Sequence, residues 1–322
     1  MNRYEKTRRG LRIKRVVMVL GLLFLGIGAY GGYIVYKAYD AATQSFSELE
    51  RGHKSSLREE AVEVSKDPFS ILIMGVEDYS TGGQNGRTDS LIIATFNPTD
   101  QSVKLVSLPR DTLVEIPGKE VKDKINHAYA FGGKEATIES VEKLLDIPVD
   151  YYVTIGFQGF KKIINEVGGI TIEVPFDFSE KSDEDKDIIY FTEGEMQLNG
   201  EEALAYARMR KEDPRGDFGR NDRQKQILTA VVAKLLAPSS LTKLDNVAKH
   251  VGENVQTNMR VSQALAIQKK YPEFNSGRIE NLSLRGTDQY IGGIYYFQPD
   301  EAGLSELQTE LKRHLEHEHT AE

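Results

Sequence analysis

Apolar and polar residues along the chain fall into three textures. From Val16 to Tyr36 the sequence reads VVMVLGLLFLGIGAYGGYIVY, 21 residues without Asp, Glu, Lys, Arg or His. A helix rising about 1.5 Å per residue needs ~20 such residues to cross a hydrocarbon core of roughly 30 Å, so this run predicts a membrane span. Residues 37–67 are polar and helix-compatible without a large apolar face, which predicts a stalk ended by Asp67-Pro68. From Phe69 onward, short β-rich runs at 69–76, 90–97, 103–109, 150–157 and 169–176 are nearly continuous in apolar residues, as in strands covered on both faces. Helical periodicity predicts helices over 134–146, 158–167, 200–207, 220–237 and 261–270. Asn97-Pro98-Thr99-Asp100 reads as a tight reversal, so the fold class is α/β, a sandwich with a mixed sheet. No internal repeat is visible, and residues 68–310 are expected to form one domain. The last residues, 311–322, are expected to fray, with His314, His317 and His319 in solvent.

Charge orients this arrangement. The chain carries a net −8, yet residues 1–15 hold seven Lys/Arg against Glu5, a basic tip of +6 that leaves −14 on everything after it. By the positive-inside rule the tip stays cytoplasmic, 16–36 is an uncleaved signal anchor, and 37–322 lies outside a single-pass membrane protein. An acidic body argues against nucleic acid as a partner. The absence of cysteine removes disulfides and Cys-based zinc sites. Gly26-x-Gly28-x-x-Gly31 matches a dinucleotide-binding pattern by letter, but it sits inside the apolar run with no preceding strand, and is set aside.

Three segments carry candidate chemistry. Residues 75–89 end a strand, cross a glycine-rich loop and open the next strand at Arg87-Thr88-Asp89. Glu77 or Asp78 with Asp89 could converge on Mg²⁺, which takes one or two carboxylates and completes its shell with water and phosphate; the alternative is a solvated turn. Ser107-Leu108-Pro109-Arg110-Asp111-Thr112 places Arg110 at the same sheet end, as a phosphate ligand or one half of a surface ion pair. Arg208, Arg210, Lys211, Arg215, Arg220, Arg223 and Lys225 then fall within 18 residues, a local +3 against four acids. Arg220 and Gln224 extend the apolar stripe Ile227, Leu228, Val231, Leu235, so the Arg220 guanidinium is predicted to turn inward, where it requires an anionic partner. Several arginines with paired carboxylates suggest a metal-assisted phosphate or pyrophosphate site. No Gly-x-Ser-x-Gly elbow or P-loop occurs, and His127 is read as structural.

The order of GVExxxxxxxxxGRTDS, VSLPRDT, DKINHAYAFGG and LNGEEALAYARMRKEDPRGDFGRNDRQ resembles the LytR-CpsA-Psr family of Gram-positive cell-envelope proteins, most closely its TagU/LytR branch. The resemblance implies an α/β/α sandwich that moves a phosphate-linked glycopolymer, such as wall teichoic acid, from an undecaprenyl-pyrophosphate carrier to peptidoglycan. It implies that Asp89 belongs to a Mg²⁺ site. Arg110, with Arg87, Arg208, Arg210, Arg220 and Gln224, would meet the pyrophosphate. Glu77 stands where many members have aspartate, so Asp78 is an alternative ligand. A lipid-pyrophosphate hydrolase and a non-catalytic membrane regulator are the competing functions.

Overall fold

The computed structural model describes residues 43–77, 86–236, 244–271 and 278–316, with 33, 36, 37 and 39–41 on the approach to them. The basic tip at 1–15, expected to be cytoplasmic, nearly all of the expected anchor, Asp78, His317 and His319 lie outside the described residues. Among those residues no helix is long and apolar enough to cross a membrane.

The apolar runs pair into a six-stranded mixed sheet. It contains β1 (Phe69–Val76), β2 (Thr88–Asn97), β3 (Ser102–Ser107), β6 (Tyr151–Gly156), β11 (Val255–Thr257) and β12 (Ile279–Ser283), in the order β11-β6-β1-β2-β3-β12. β1 with β6 and β3 with β12 are parallel; the other pairs are antiparallel, and the expected reversal at 97–100 joins β2 to β3. Smaller ribbons flank it: β4 (Leu113–Val114) with β5 (Asp123–Lys124), β7 (Ile170–Val174) with β10 (Gly194–Leu198), β8 (Phe178–Lys181) with β9 (Ile188–Phe191), and β13 (Gly286–Ile291) with β14 (Ile294–Pro299).

Alternation along the central strands explains why they read as continuous apolar runs. Leu72, Met74, Leu91, Ile93 and Val106 face one core, packed with Ile138, Val141 and Leu145 of α1 (His127–Leu145) and with Leu307 and Leu311 of α7 (Glu301–His314). Phe69, Ile71, Ile92, Ala94, Phe96 and Leu105 face a second core, closed by Leu228 of α4 (Asp217–Leu236) and by Ala266 and Ile267 of α6 (Val261–Lys270). The result is a sheet with helices on both faces. A third cluster joins Ile164 of α2 (Phe157–Val167), Ala203 and Tyr206 of α3 (Gly200–Arg208), Ile227 of α4 and the β7–β10 and β8–β9 ribbons. The remaining helix, α5, spans Leu244–Asn254.

Two expectations are corrected. Of the stalk expected at 37–67, residues 46–67 are not free but form an irregular strap lying on the domain. Leu49 and Val64 are buried, Arg51 pairs with Glu142 at 2.6 Å, and Arg58 pairs with Asp150 at 2.8 Å. A polar segment reads as solvated, but here its charges meet carboxylates buried on other elements. Nor does the tail fray at 311: Leu304, Leu307, Leu311 and Leu315 form a helical stripe on the core. His314 is buried, with Nδ1 2.7 Å from Thr95 Oγ1 and Nε2 2.6 Å from Ser102 Oγ.

Candidate active site

The site is built at the carboxyl ends of β1, β3 and β6. β1 and β2 pair without interruption from Phe69↔Phe96 to Gly75↔Ser90, and the next partner of Val76 is Thr88. Asp89 is the residue skipped, a β-bulge, and bulges re-aim a side chain at a strand end. The loop arms stay close above it: the Glu77 N–H donates to the Arg87 carbonyl at 3.0 Å. Gly86 permits this approach, because a Cβ there would lie 2.1 Å from the Glu77 carbonyl oxygen. Across the sheet Pro109 turns the chain out of β3, with its carbonyl accepting from Thr112 N at 3.0 Å. Arg110 Nη1 then donates to Asp89 Oδ1 at 2.7 Å. Asp111 follows with Nε of Arg110 at 3.7 Å, and its other oxygen accepts from Lys124 Nζ at 2.6 Å.

The arginine-rich block is held by one buried staple. Asn199 caps α3 through a capping box with Glu202, and the helix ends at Arg208. Arg223 reaches back from α4 to the Tyr206 carbonyl at 3.1 Å, the Met209 carbonyl and the Asp213 carboxylate, with both charged side chains almost wholly buried. Gly219 makes room for this pair. The staple fixes the first turn of α4, which presents Arg220, 5% exposed and paired with Asp217 Oδ1 at 3.0 Å. Gln224, one turn later, sends Nε2 to the Asp89 and Ala207 carbonyls, each at 3.4 Å, tying α4 to the bulge and to α3. Arg210 Nε lies 3.7 Å from the same Asp217 oxygen.

Charge is concentrated and incompletely satisfied here. Burial pushes the Arg220 guanidinium below its ordinary range; Asp217 opposes this, and the nearby Arg110 pushes the same way as burial. Arg110 goes up, because Asp89, and after it Asp111 and Asp217, outweigh the burial that would lower it. The Nε atoms of both Arg110 and Arg220 are buried without a hydrogen-bond acceptor. Asp217 Oδ1 is likewise buried without a hydrogen-bond donor, but the two guanidinium donors outnumber it, and buried donors without acceptors are costly, so the pocket favours an anion.

The structure therefore brings together Asp89, Arg110, Arg210, Arg220 and Gln224, with Glu77 beside Arg87 at the strand mouth. Arg87 is exposed. Arg208 stands at the rim, paired with Asp183 at 2.6 Å and lying over the ring of Phe157, the residue that follows β6. Two members were missed in the sequence. Asp217 was visible as an acid three residues before Arg220, a helical pairing distance. Lys124, lying over the Tyr295 and Tyr296 rings, sits on a two-residue strand with no periodic signal. His127 pairs with Asp123 at 3.0 Å, in keeping with a structural role. For a cation, the described residues contain no cluster of three or more His, Asp or Glu. Two carboxylates at the strand mouth beside orphaned guanidinium donors fit Mg²⁺ brought with a phosphate ligand, rather than a cage made by protein alone.

The LytR_cpsA_psr family model matches residues 32–313. The polyisoprenyl-teichoic acid–peptidoglycan teichoic acid transferase TagV of Bacillus subtilis (strain 168) is 52% identical over 310 residues, covering 95% of this chain and 79% of TagV. The crystal structure of B. subtilis TagV aligns with a TM-score of 0.70 at 54% identity, over 78% of this chain and 98% of that one. A solved structure of TagT, a LytR-CPS2A-psr family protein, with bound octaprenyl pyrophosphate lipid aligns with a TM-score of 0.66 at 31% identity, over 84% and 99% of the two chains.

Proposed function

The chain belongs to the LytR-CpsA-Psr family, and we propose that it transfers a phosphate-linked anionic glycopolymer, wall teichoic acid, from undecaprenyl pyrophosphate to a peptidoglycan hydroxyl. The observation that carries this reading is the pair of guanidiniums of half-buried Arg110 and buried Arg220, whose buried Nε donors lack acceptors beside Asp89 at the sheet's carboxyl end. A pyrophosphate supplies oxygens for both. Its affinity for them is strengthened by a buried setting and by the planar donor fork of arginine.

In the reaction, the acceptor oxygen bonds to the phosphorus nearest the polymer, the bond from that phosphorus to the bridging oxygen breaks, and lipid phosphate leaves with the bridging electrons. The acceptor hydroxyl releases its proton, for which no base is assigned, since Asp89 is already engaged by Arg110. Arg110 and Arg220 hold the pyrophosphate in line and offset charge on the leaving phosphate; Arg210 and Arg208 extend this field toward the rim. Gln224 fixes the bulge against α4. Glu77 and Asp89 would hold Mg²⁺, which when bound supplies further neutralisation of the phosphoryl oxygens. The apolar run at 16–36 would keep the enzyme on the membrane that carries the donor, raising its effective concentration.

The test uses the full chain in detergent with a lipid-pyrophosphate-linked polymer and peptidoglycan. Covalent polymer–peptidoglycan product is expected with Mg²⁺ and lost in chelator, and Arg110→Ala or Arg220→Ala should abolish it. Ligation by those variants at parental rate would overturn the assignment of the site. Release of free polymer with no covalent product would make the protein a lipid-pyrophosphate hydrolase instead.

A further inference from the structure

The β13–β14 ribbon ends in a tip that stands exposed among the described residues. Ile291 pairs with Ile294 across Gly292-Gly293, whose φ values of +58° and +80° form the tight turn that glycine favours. From Gln289 to Phe297 the sequence holds no charged residue. Tyr290 is 72% exposed, Ile294 53% and Ile291 45%. Single exposed apolar residues are ordinary, but here neighbours on both faces of one turn are exposed together.

The base of the same ribbon belongs to the candidate site. The Phe297 N–H donates to the Asp111 carbonyl at 2.9 Å, Phe297 meets Phe218 of α4 edge-on, and Lys124 lies over Tyr295 and Tyr296. Strand register fixes which end of the sheet the ribbon leaves from. β12 runs parallel to β3 and brings Ser283 level with Ser107, at the end where Arg110 meets Asp89. β13 starts three residues later.

The amino-terminal segment arrives at that same end. β11 begins with Val255 opposite Ile155, which is level with Gly75 near the mouth of β1, and runs away from the site to Thr257. Phe46 bridges Thr257 in the parallel sense, so the chain comes to this bridge from the site end. Just before it, Ser45 donates to the Val251 carbonyl at 3.0 Å, and the helical residues Tyr33, Tyr36 and Tyr39 are exposed. Tyr33 and Tyr36 close the apolar run and Tyr39 follows it; exposed tyrosines at the end of such a run are the composition of a membrane–water interface.

We propose that the β13–β14 tip, Tyr290 to Ile294, inserts into the lipid bilayer that holds the amino-terminal run, so that the carboxyl end of the sheet faces the membrane and the arginine site sits at headgroup depth. This placement rests on the membrane-anchored reading of residues 16–36 and on a lipid-borne substrate. It makes the ribbon a second, reversible contact beside the anchor, and brings Arg110 and Arg220 to the level at which a lipid pyrophosphate is presented.

The chain contains no tryptophan, so one introduced indole is the only one in the protein. The full chain carrying Tyr290→Trp is reconstituted into phosphatidylethanolamine–phosphatidylglycerol vesicles, with and without brominated acyl chains. Lys66→Trp, at an exposed position just before β1 at the opposite end of the sheet, is the reference. Bromine should extinguish most of the emission of the indole at 290 and leave that at 66 unchanged. Adding Ile291→Ser and Ile294→Ser to the Tyr290→Trp chain should restore the emission. No quenching at 290, or equal quenching at 290 and 66, would overturn the proposal. The readout needs no turnover, so it can fail while transfer activity stands, and it can succeed where ligation fails.

Discussion

Replacing Gly219 by alanine should destabilise the protein, against the ordinary rule for helices. At an open helical position this change stabilises by roughly 0.8–1 kcal/mol. Gly219 is the third residue of α4, and a Cβ there would lie 1.8 Å from Asp213 Oδ2 and 2.2 Å from its Cγ. The carboxylate must move, yet its side chain is 0% exposed and the guanidinium it faces, that of Arg223, is 3% exposed. It also accepts from the Arg215 N–H at 2.7 Å, so it has no free direction in which to swing. Breaking a buried pair costs about 3–5 kcal/mol, and offsetting the helix gain leaves a net loss of about 2–4 kcal/mol. The measurement is urea unfolding of the full chain in detergent, followed by tyrosine fluorescence. In an Asp213→Ala background the obstacle is gone, so the added cost of Gly219→Ala should collapse toward the small helical gain. A Gly219→Ala protein as stable as the parent would refute the reasoning, because the staple would then not be rigid.

Three further outcomes are expected. Arg220→Lys should restore little of the ligation lost in Arg220→Ala, since an ammonium lacks the Nε donor and the planar fork; recovery to parental rate would show that charge alone suffices. Burial, and after it Lys104, lowers the His314 pKa from its ordinary 6.5, so the unfolded chain takes the proton more readily. The stability contributed by neutral His314 is intact above pH 6.5 and is lost progressively as pH falls from there toward the lower folded value; thermal unfolding against pH should show this slope, and His314→Gln should flatten it. Asp123 is held at about 2, because Lys119 and His127 outweigh a burial that acts the other way. Its contribution is present above pH 3.8 and lost as pH falls toward 2, and NMR titration of His127→Ala should find the Asp123 carboxyl moved up toward 3.8.

How much could be read in advance depended on whether a signal was periodic. The central strands were legible because each face of the sheet meets its own core, and the inward turn of Arg220 was legible because it continues a 3.6-residue stripe. Asp89 was legible as a carboxylate at a strand mouth, but the bulge that aims it was not, since one skipped residue leaves no trace in composition. Arg223 belonged to the same basic block as Arg220, yet it holds the fold together; only the buried Asp213 beyond the loop separates the two roles. The strap failed as a stalk because its arginines find carboxylates on α1 and at the start of β6, across some 90 residues of sequence. The C-terminal stripe from Leu304 to Leu315 is periodic, but its last turn runs into a polar, histidine-rich ending whose composition is that of a solvated tail.

The strap has a consequence for reach. Its two arginine pairs and the seat of Ala41 against Gly252 fix the chain to the domain almost as soon as the apolar run ends at Tyr36. Four residues lie between Tyr36 and Ala41, five steps that span a helical length of about 8 Å. If residues 16–36 anchor the chain as proposed, so short a leash would keep the domain from standing off into the wall to search for acceptors. On the proposed membrane placement, ligation would be confined to the thin layer next to the bilayer, and the acceptor strand would have to come down to the enzyme.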